Sequence, residues 1–134
     1  MKLRMRKNSL RLRLLQSEVR EFGETGRVTE TIQFGCDPLE KLTYTLVASH
    51  AAEQICARFA DNQITVTIPN LIARNWVDSA EISLSNEQTI KNGERLESSE
   101  NVLQILIEKD FVCLDRKNDP DNADAFPHPT GRCA

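Results

Sequence analysis

KLRMRKNSLRLRL, residues 2–14, alternates apolar and polar side chains on both sides of a break, and the parity changes across it. Leu3 and Met5 are the apolar positions before Lys7-Asn8-Ser9; Leu10, Leu12 and Leu14 are the apolar positions after it. Side chains of a strand point to opposite faces with period two, so one unbroken strand would put these two sets on opposite sides. The chain must turn between them. A tight hairpin centred on Lys7-Asn8 pairs Met5 with Leu10 and Leu3 with Leu12, whereas one centred on Asn8-Ser9 pairs Met5 with Leu12 and Leu3 with Leu14. Either register gathers the apolar residues on one face and the arginines on the other.

Patterns further along extend this β reading. Residues 16–22 form a short helix closed by Gly23, with Val19 and Phe22 on one side. Val28–Phe34 alternates until Gly35-Cys36-Asp37-Pro38 breaks it, and Leu42, Tyr44 and Leu46 resume the pattern. Ile55–Ile68 is a second hairpin: a turn at Asp61-Asn62 pairs Phe59 with Ile64, Ala57 with Val66 and Ile55 with Ile68. Pro69 at a first helical position then opens a helix whose apolar side holds Leu71, Ile72 and Trp76, the sole tryptophan. Ala80, Ile82 and Leu84 alternate as a strand. Ser85–Asn101 reads as a long mobile connection, and Val102–Ile107 as a strand buried on both faces.

These patterns predict an α+β fold, mainly β: an antiparallel sheet, curled or barrel-like, of seven to eight strands with two short helices. Residues 1–114 form the domain and 115–134 an acidic, Pro-rich tail; no internal repeat stands out.

Charge is segregated. The formal net charge is −3, yet Lys2, Arg4, Arg6, Lys7, Arg11 and Arg13 give the first thirteen residues +6, so the remainder sums to −9. Nucleic-acid binding would want aromatic side chains interleaved with such a stripe, and residues 1–21 contain none, which makes nucleic acid an unfavoured partner. A solvated strand face whose arginines meet Glu30, Glu81, Glu108 or Asp110 accounts for the pattern more simply. If a partner covers it, Arg4, Arg6, Arg11 and Arg13 are the residues that would meet an anion, and an acidic protein or a second copy of the chain is the partner expected. The start is no secretory signal and no apolar run could span a bilayer, so a cytoplasmic protein without membrane contact is expected.

Chemistry-bearing motifs are sparse. Cys36, Cys56, Cys113 and Cys133 contain no C-x-x-C pair and read as free thiols, at least two of them packed as small apolar groups. Cys113, Asp115, His128 and Cys133 include zinc-binding residue types, but their spacing matches no standard module, so no metal is expected. His50 and His128 lie in predicted loops without a nucleophile motif, and no phosphate-cradling loop occurs, so neither catalytic residues nor a cofactor are assigned. Glu108-Lys109-Asp110 marks where a strand re-enters water. Two functions follow from this reading: a small non-enzymatic binding or assembly module using the arginine face or an open sheet edge, and a small-molecule binding or catalytic protein with a pocket in the mouth of the sheet.

MKLRMRKNSLRLRL (1–14) with Ser17-Glu18-Val19, ITVTIPNLIARNW (64–76), ILIEKDFVCL (105–114) and AFPHP (125–129) together resemble a family of short bacterial proteins known only as a domain of unknown function. The resemblance spans nearly the whole chain and implies no substrate, cofactor or catalytic residue. Related sequences often carry glycine at the position of Lys7, where it would ease a positive-φ turn.

Overall fold

A computed structural model describes residues 1–90, 102–112 and 118–128. The strands are β1 (Lys2–Met5), β2 (Ser9–Leu14), β3 (Arg27–Gln33), β4 (Lys41–Ser49), β5 (Cys56–Ala60), β6 (Gln63–Pro69), β7 (Ser83–Thr89) and β8 (Val102–Lys109), with helices α1 (Gln16–Thr25) and α2 (Asn70–Asp78). They form two four-stranded sheets, ordered β1-β2-β8-β7 and β3-β4-β6-β5. The fold is thus α+β and mainly β, but it is no closed barrel and its sheets are mixed. Each consists of two antiparallel hairpins whose inner strands, β2 with β8 and β4 with β6, run parallel. Hairpins are specified by local turns; the side-by-side placement of two hairpins has no local signal, and so the purely antiparallel expectation fails there.

Both predicted hairpins form. Lys7-Asn8 makes the first turn, with Leu3 opposite Leu12 and Met5 opposite Leu10. Lys7 adopts φ 51°, a left-handed conformation that costs a side-chain-bearing residue about 1–2 kcal/mol. Lys7→Gly should therefore stabilise the fold by about 0.5–1 kcal/mol after the extra freedom of the unfolded glycine is deducted, measured as a raised urea midpoint. The second turn places Asp61 and Asn62 at φ 52° and 57°, the doubly left-handed geometry that suits a two-residue hairpin. Phe59 faces Ile64 and Ala57 faces Val66 there.

Although no repeat is visible in the sequence, the topology contains one. The unit strand–strand–helix–strand–strand occurs as β1-β2-α1-β3-β4 and again as β5-β6-α2-β7-β8, and each unit gives one hairpin to each sheet. Equivalent side chains follow in register: Met5 and Phe59, Leu10 and Ile64, Leu12 and Val66, Leu14 and Ile68, Val19 and Ala73, Phe22 and Trp76. Backbone contacts repeat as well. Asn8 O accepts from Gln104 N at 3.1 Å, and Asn62 O accepts from Thr43 N at 3.1 Å.

α1 runs through Gly23 and stops at Gly26, whose φ is 74°. Gly23 is used for closeness instead: a Cβ there would lie 2.8 Å from Val77 Cγ1, so the glycine lets α1 approach α2. Phe22 and Trp76 meet edge-to-face across that contact with ring centres 6.3 Å apart. Ala73 and Trp76 are the buried side of α2, whereas Leu71 is 78% exposed. Pro69 ends β6 and sits at the position just before α2, without a side-chain capping bond, so it precedes the first helical residue instead of being it.

β7 extends to Thr89 and pairs with β8, so residues 85–89 of the predicted connection are strand; 91–101 lie outside the described residues. β8 buries Ile105 and Ile107 on one face, with its other face partly covered. Lys109 and Asp110 are 6% and 7% exposed, which overturns the expectation that the chain re-enters water there. Residues 118–128 return across them: Phe126 N donates to Asp110 O at 2.8 Å, Asp124 O accepts from Gln16 N at 2.8 Å, and Pro120–Ala123 forms a single 3₁₀ turn. No helix among the described residues is long and apolar enough to cross a membrane.

Candidate functional site

β2 and β6 each run from a hairpin turn to the start of a helix, so the two helices lie at one end of the molecule and the two turns at the other. At the turn end the sheets leave an open groove of about 460 Å³, lined by Met5, Leu10, Leu42, Phe59, Ile64 and Leu103. These are three repeat-related pairs: Met5 with Phe59, Leu10 with Ile64, and Leu42 with Leu103. The groove therefore straddles the axis relating the two halves. Met5 is 60% and Phe59 68% exposed, large apolar side chains left in water at its mouth. Lys7 and Arg58 stand at its rim. Sequence periodicity places Met5 and Phe59 on the inward face of their hairpins. It does not reveal that the inward face runs out of core at the turns.

The other face of the β1–β2 hairpin carries the arginines. Arg13 Nε donates to Glu108 Oε1 at 2.6 Å, and Arg11 Nε lies 3.6 Å from the same oxygen. Glu108 thus serves two arginines, as one of the carboxylates expected to cover this face. Arg4 sits directly across from Arg11, a like-charge pair, and neither Arg4 nor Arg6 has an ion pair among the described residues. The site residues therefore divide: Arg11 and Arg13 are partly neutralised from β8, while Arg4 and Arg6 are exposed and unmatched.

Remaining charges nearby are satisfied internally. Lys2 Nζ reaches Asp110 at 2.7 Å and Asp121 at 3.1 Å; burial pulls its pKa down, but these two carboxylates outweigh it and hold the ammonium above its ordinary value. The Met1 amino group bonds Glu18 and, at 2.9 Å, Glu30, and is raised in the same way against burial. Lys109 donates to Ser79 O at 2.7 Å and lies 5.6 Å from both the Trp76 and Phe126 ring centres. Its burial lowers the pKa, countered in part by Glu81. Glu81 itself accepts from Asn75 and does not reach the arginine face.

Other candidates are not brought together. Of the set Cys113, Asp115, His128 and Cys133, only His128 is described, stacked edge-on against Phe111; the other three lie outside the described residues. No cluster of three metal-ligating side chains occurs among the described residues. Cys36 is exposed and Cys56 half-buried, both free thiols. His50 lines a separate cleft beside the helices with Arg20 and Arg74.

Residues 1–130 match the Family of unknown function (DUF7009), and the chain belongs to that family. No curated protein and no solved structure matches it.

Proposed function

We propose that this member of the family is a non-enzymatic binding module that takes an acidic, partly apolar polypeptide on the β1–β2 hairpin. One observation carries the reading: β1 borders an apolar groove with exposed Met5 and Phe59 at its mouth on one face and carries Arg4 on the other, with Arg6 following at the turn, and neither arginine has an internal carboxylate among the described residues. An apolar surface left in water together with unmatched positive charge is complementary to a chain presenting both acidic and apolar residues. A second copy of this protein fits less well, because pairing through the groove would set Lys7 and Arg58 of one copy near the same charges of the other.

The test is a nine-residue synthetic peptide alternating Glu and Leu, titrated calorimetrically into the full chain and into Arg4→Glu/Arg6→Glu. Both positions are exposed, so the variant should fold normally. A unit charge pair near 4 Å is worth about 1 kcal/mol in water and reversal counts it twice. After screening, affinity should fall roughly tenfold to hundredfold at low salt, with a flatter salt dependence. Unchanged affinity sinks the proposal. A second reading, a small amphiphilic anion, draws on the groove's volume of about 460 Å³, which is within the range of ligand pockets. Dodecanoate binding without peptide binding would favour it.

A further inference from the structure

The two halves of the fold treat their outer hairpin strands differently, and the difference leaves the backbone of Leu3 open where that of its counterpart is capped. In an antiparallel pair, residues alternate between positions whose N–H and C=O bond the neighbouring strand and positions whose N–H and C=O point away from it. Arg6 and Ser9 exchange both bonds across the first turn, at 3.3 and 3.1 Å. Arg4 and Lys2 are then bonded positions, and the backbone groups of Leu3 and Met5 point outward. β5 has the same alternation, with Ala57 and Phe59 outward.

At β5 that edge is capped at Ala57, while Phe59, like Met5, is not capped among the described residues. Gln88 of β7 accepts from Ala57 N at 2.6 Å and donates to Ala57 O at 2.9 Å, and Asn86 donates to Ile55 O at 2.6 Å. The equivalent of Ala57 is Leu3. The equivalent of Gln88, traced through Leu103 and Leu42 of the inner strands, is Ile32. Ile32 is 43% exposed and has no polar atom with which to meet Leu3. Among the described residues nothing bonds the outward N–H or C=O of Leu3 or Met5.

An unpaired strand edge is a template for another strand, and proteins normally block it. Here Ala57 is capped by a side-chain amide and its counterpart Leu3 is open, next to the basic face and the groove. We propose that the acidic partner binds as an added β-strand along β1. This rests on the binding reading above and specifies its mode. Side chains of an added strand would alternate with those of β1: on one face beside Arg4 and Arg6, where carboxylates fit, and on the other beside Leu3 and Met5, where apolar side chains continue the groove lining. The partner is thus an extended segment with acidic residues at every second position and apolar residues between them. A second copy pairing edge to edge would bring two sets of arginines together.

The experiment uses the full chain, the same Glu-Leu peptide, a version N-methylated on alternate backbone nitrogens, and Ile32→Gln, which installs on β1 the cap that Gln88 provides on β5. Strand addition predicts that the peptide slows amide exchange of Leu3 and Met5 at least tenfold. It also predicts that N-methylation on the pairing edge and Ile32→Gln each weaken binding about thirtyfold, the worth of roughly two backbone hydrogen bonds. Ile32→Gln should itself fold, since Ile32 is exposed. If the peptide binds with those amides unprotected and Ile32→Gln binds equally, strand addition is overturned while the acidic-partner reading stands. If the peptide binds none of the proteins, both fail. If Leu3 is protected without peptide in a concentration-dependent way, the edge is a self-association site and the proposed occupant is wrong.

Discussion

Replacing Trp76 with alanine is expected to lower stability by about 3–5 kcal/mol, a large part of the roughly 5–15 kcal/mol that holds a domain of this size. Trp76 is fully buried, meets Phe22 edge-to-face where the two helices cross, and donates its indole N–H to Ile82 O at 3.2 Å. Alanine would leave a cavity that the glycine-mediated approach of α1 to α2 cannot close, because Gly23 and Val77 are already in tight contact. Since Trp76 is the only tryptophan, urea unfolding must be followed by far-ultraviolet circular dichroism. With a slope of about 1–3 kcal/mol per molar, the midpoint should drop by at least about 1 M. Trp76→Phe, which keeps most of the volume and loses the hydrogen bond, should cost clearly less. A secondary consequence concerns Lys109, whose ammonium lies 5.6 Å from the Trp76 ring centre. With the ring gone and water admitted, its lowered pKa should rise toward the ordinary lysine value. A loss below about 1 kcal/mol for Trp76→Ala would mean that the helix crossing is not where the core's stability resides.

How legible this fold is in the sequence depends on whether a feature is written locally. The Asp61-Asn62 turn fixes the second hairpin to the residue, and the parity switch between Met5 and Leu10 narrows the first to two registers, of which the fold takes the one centred on Lys7-Asn8, because turn length and a one-sided apolar pattern leave little freedom in register. Parallel pairing of β2 with β8 joins segments nearly a chain length apart, and nothing in Ser9–Leu14 announces Val102–Lys109 as its neighbour. The internal duplication is hidden for a different reason. Burial preserves volume and polarity class rather than identity, so Leu14 answers Ile68 and Phe22 answers Trp76 while few letters coincide. At the site, the arginines could be read directly, and Glu108 could be named among their possible partners. The groove could not, since Met5 and Phe59 fit an inward-facing pattern and become exposed only because the sheets end. The open edge at β1 needed both halves in view: Ile32 is unremarkable until Gln88 shows what its position does in the other half.

The duplication makes a sharper prediction about cooperativity. Leu14 and Ile68 occupy equivalent positions near the helix ends of β2 and β6, one in each sheet, and both are fully buried. Leu14→Ala and Ile68→Ala should each cost about 2–5 kcal/mol, and the two values should agree within about 1 kcal/mol. More telling is how the loss is distributed. Each half of the chain supplies one hairpin to each sheet, and the buried residues of both sheets belong to a single core cluster. Releasing β1-β2 from one sheet therefore removes Leu12 and Leu14 from the surface on which Leu46, Val66 and Ile68 of the other are packed. Neither sheet has a core of its own to fall back on. Amide exchange should show this: in Leu14→Ala the slowest-exchanging amides of β4 and β6, in the unmutated sheet, should speed up by the same opening free energy as those of β2 and β8. Ile68→Ala should give the mirror result. Retained protection in the unmutated sheet would show that the sheets open independently. The exchanged hairpins would then describe only how the chain is routed, not what holds it together.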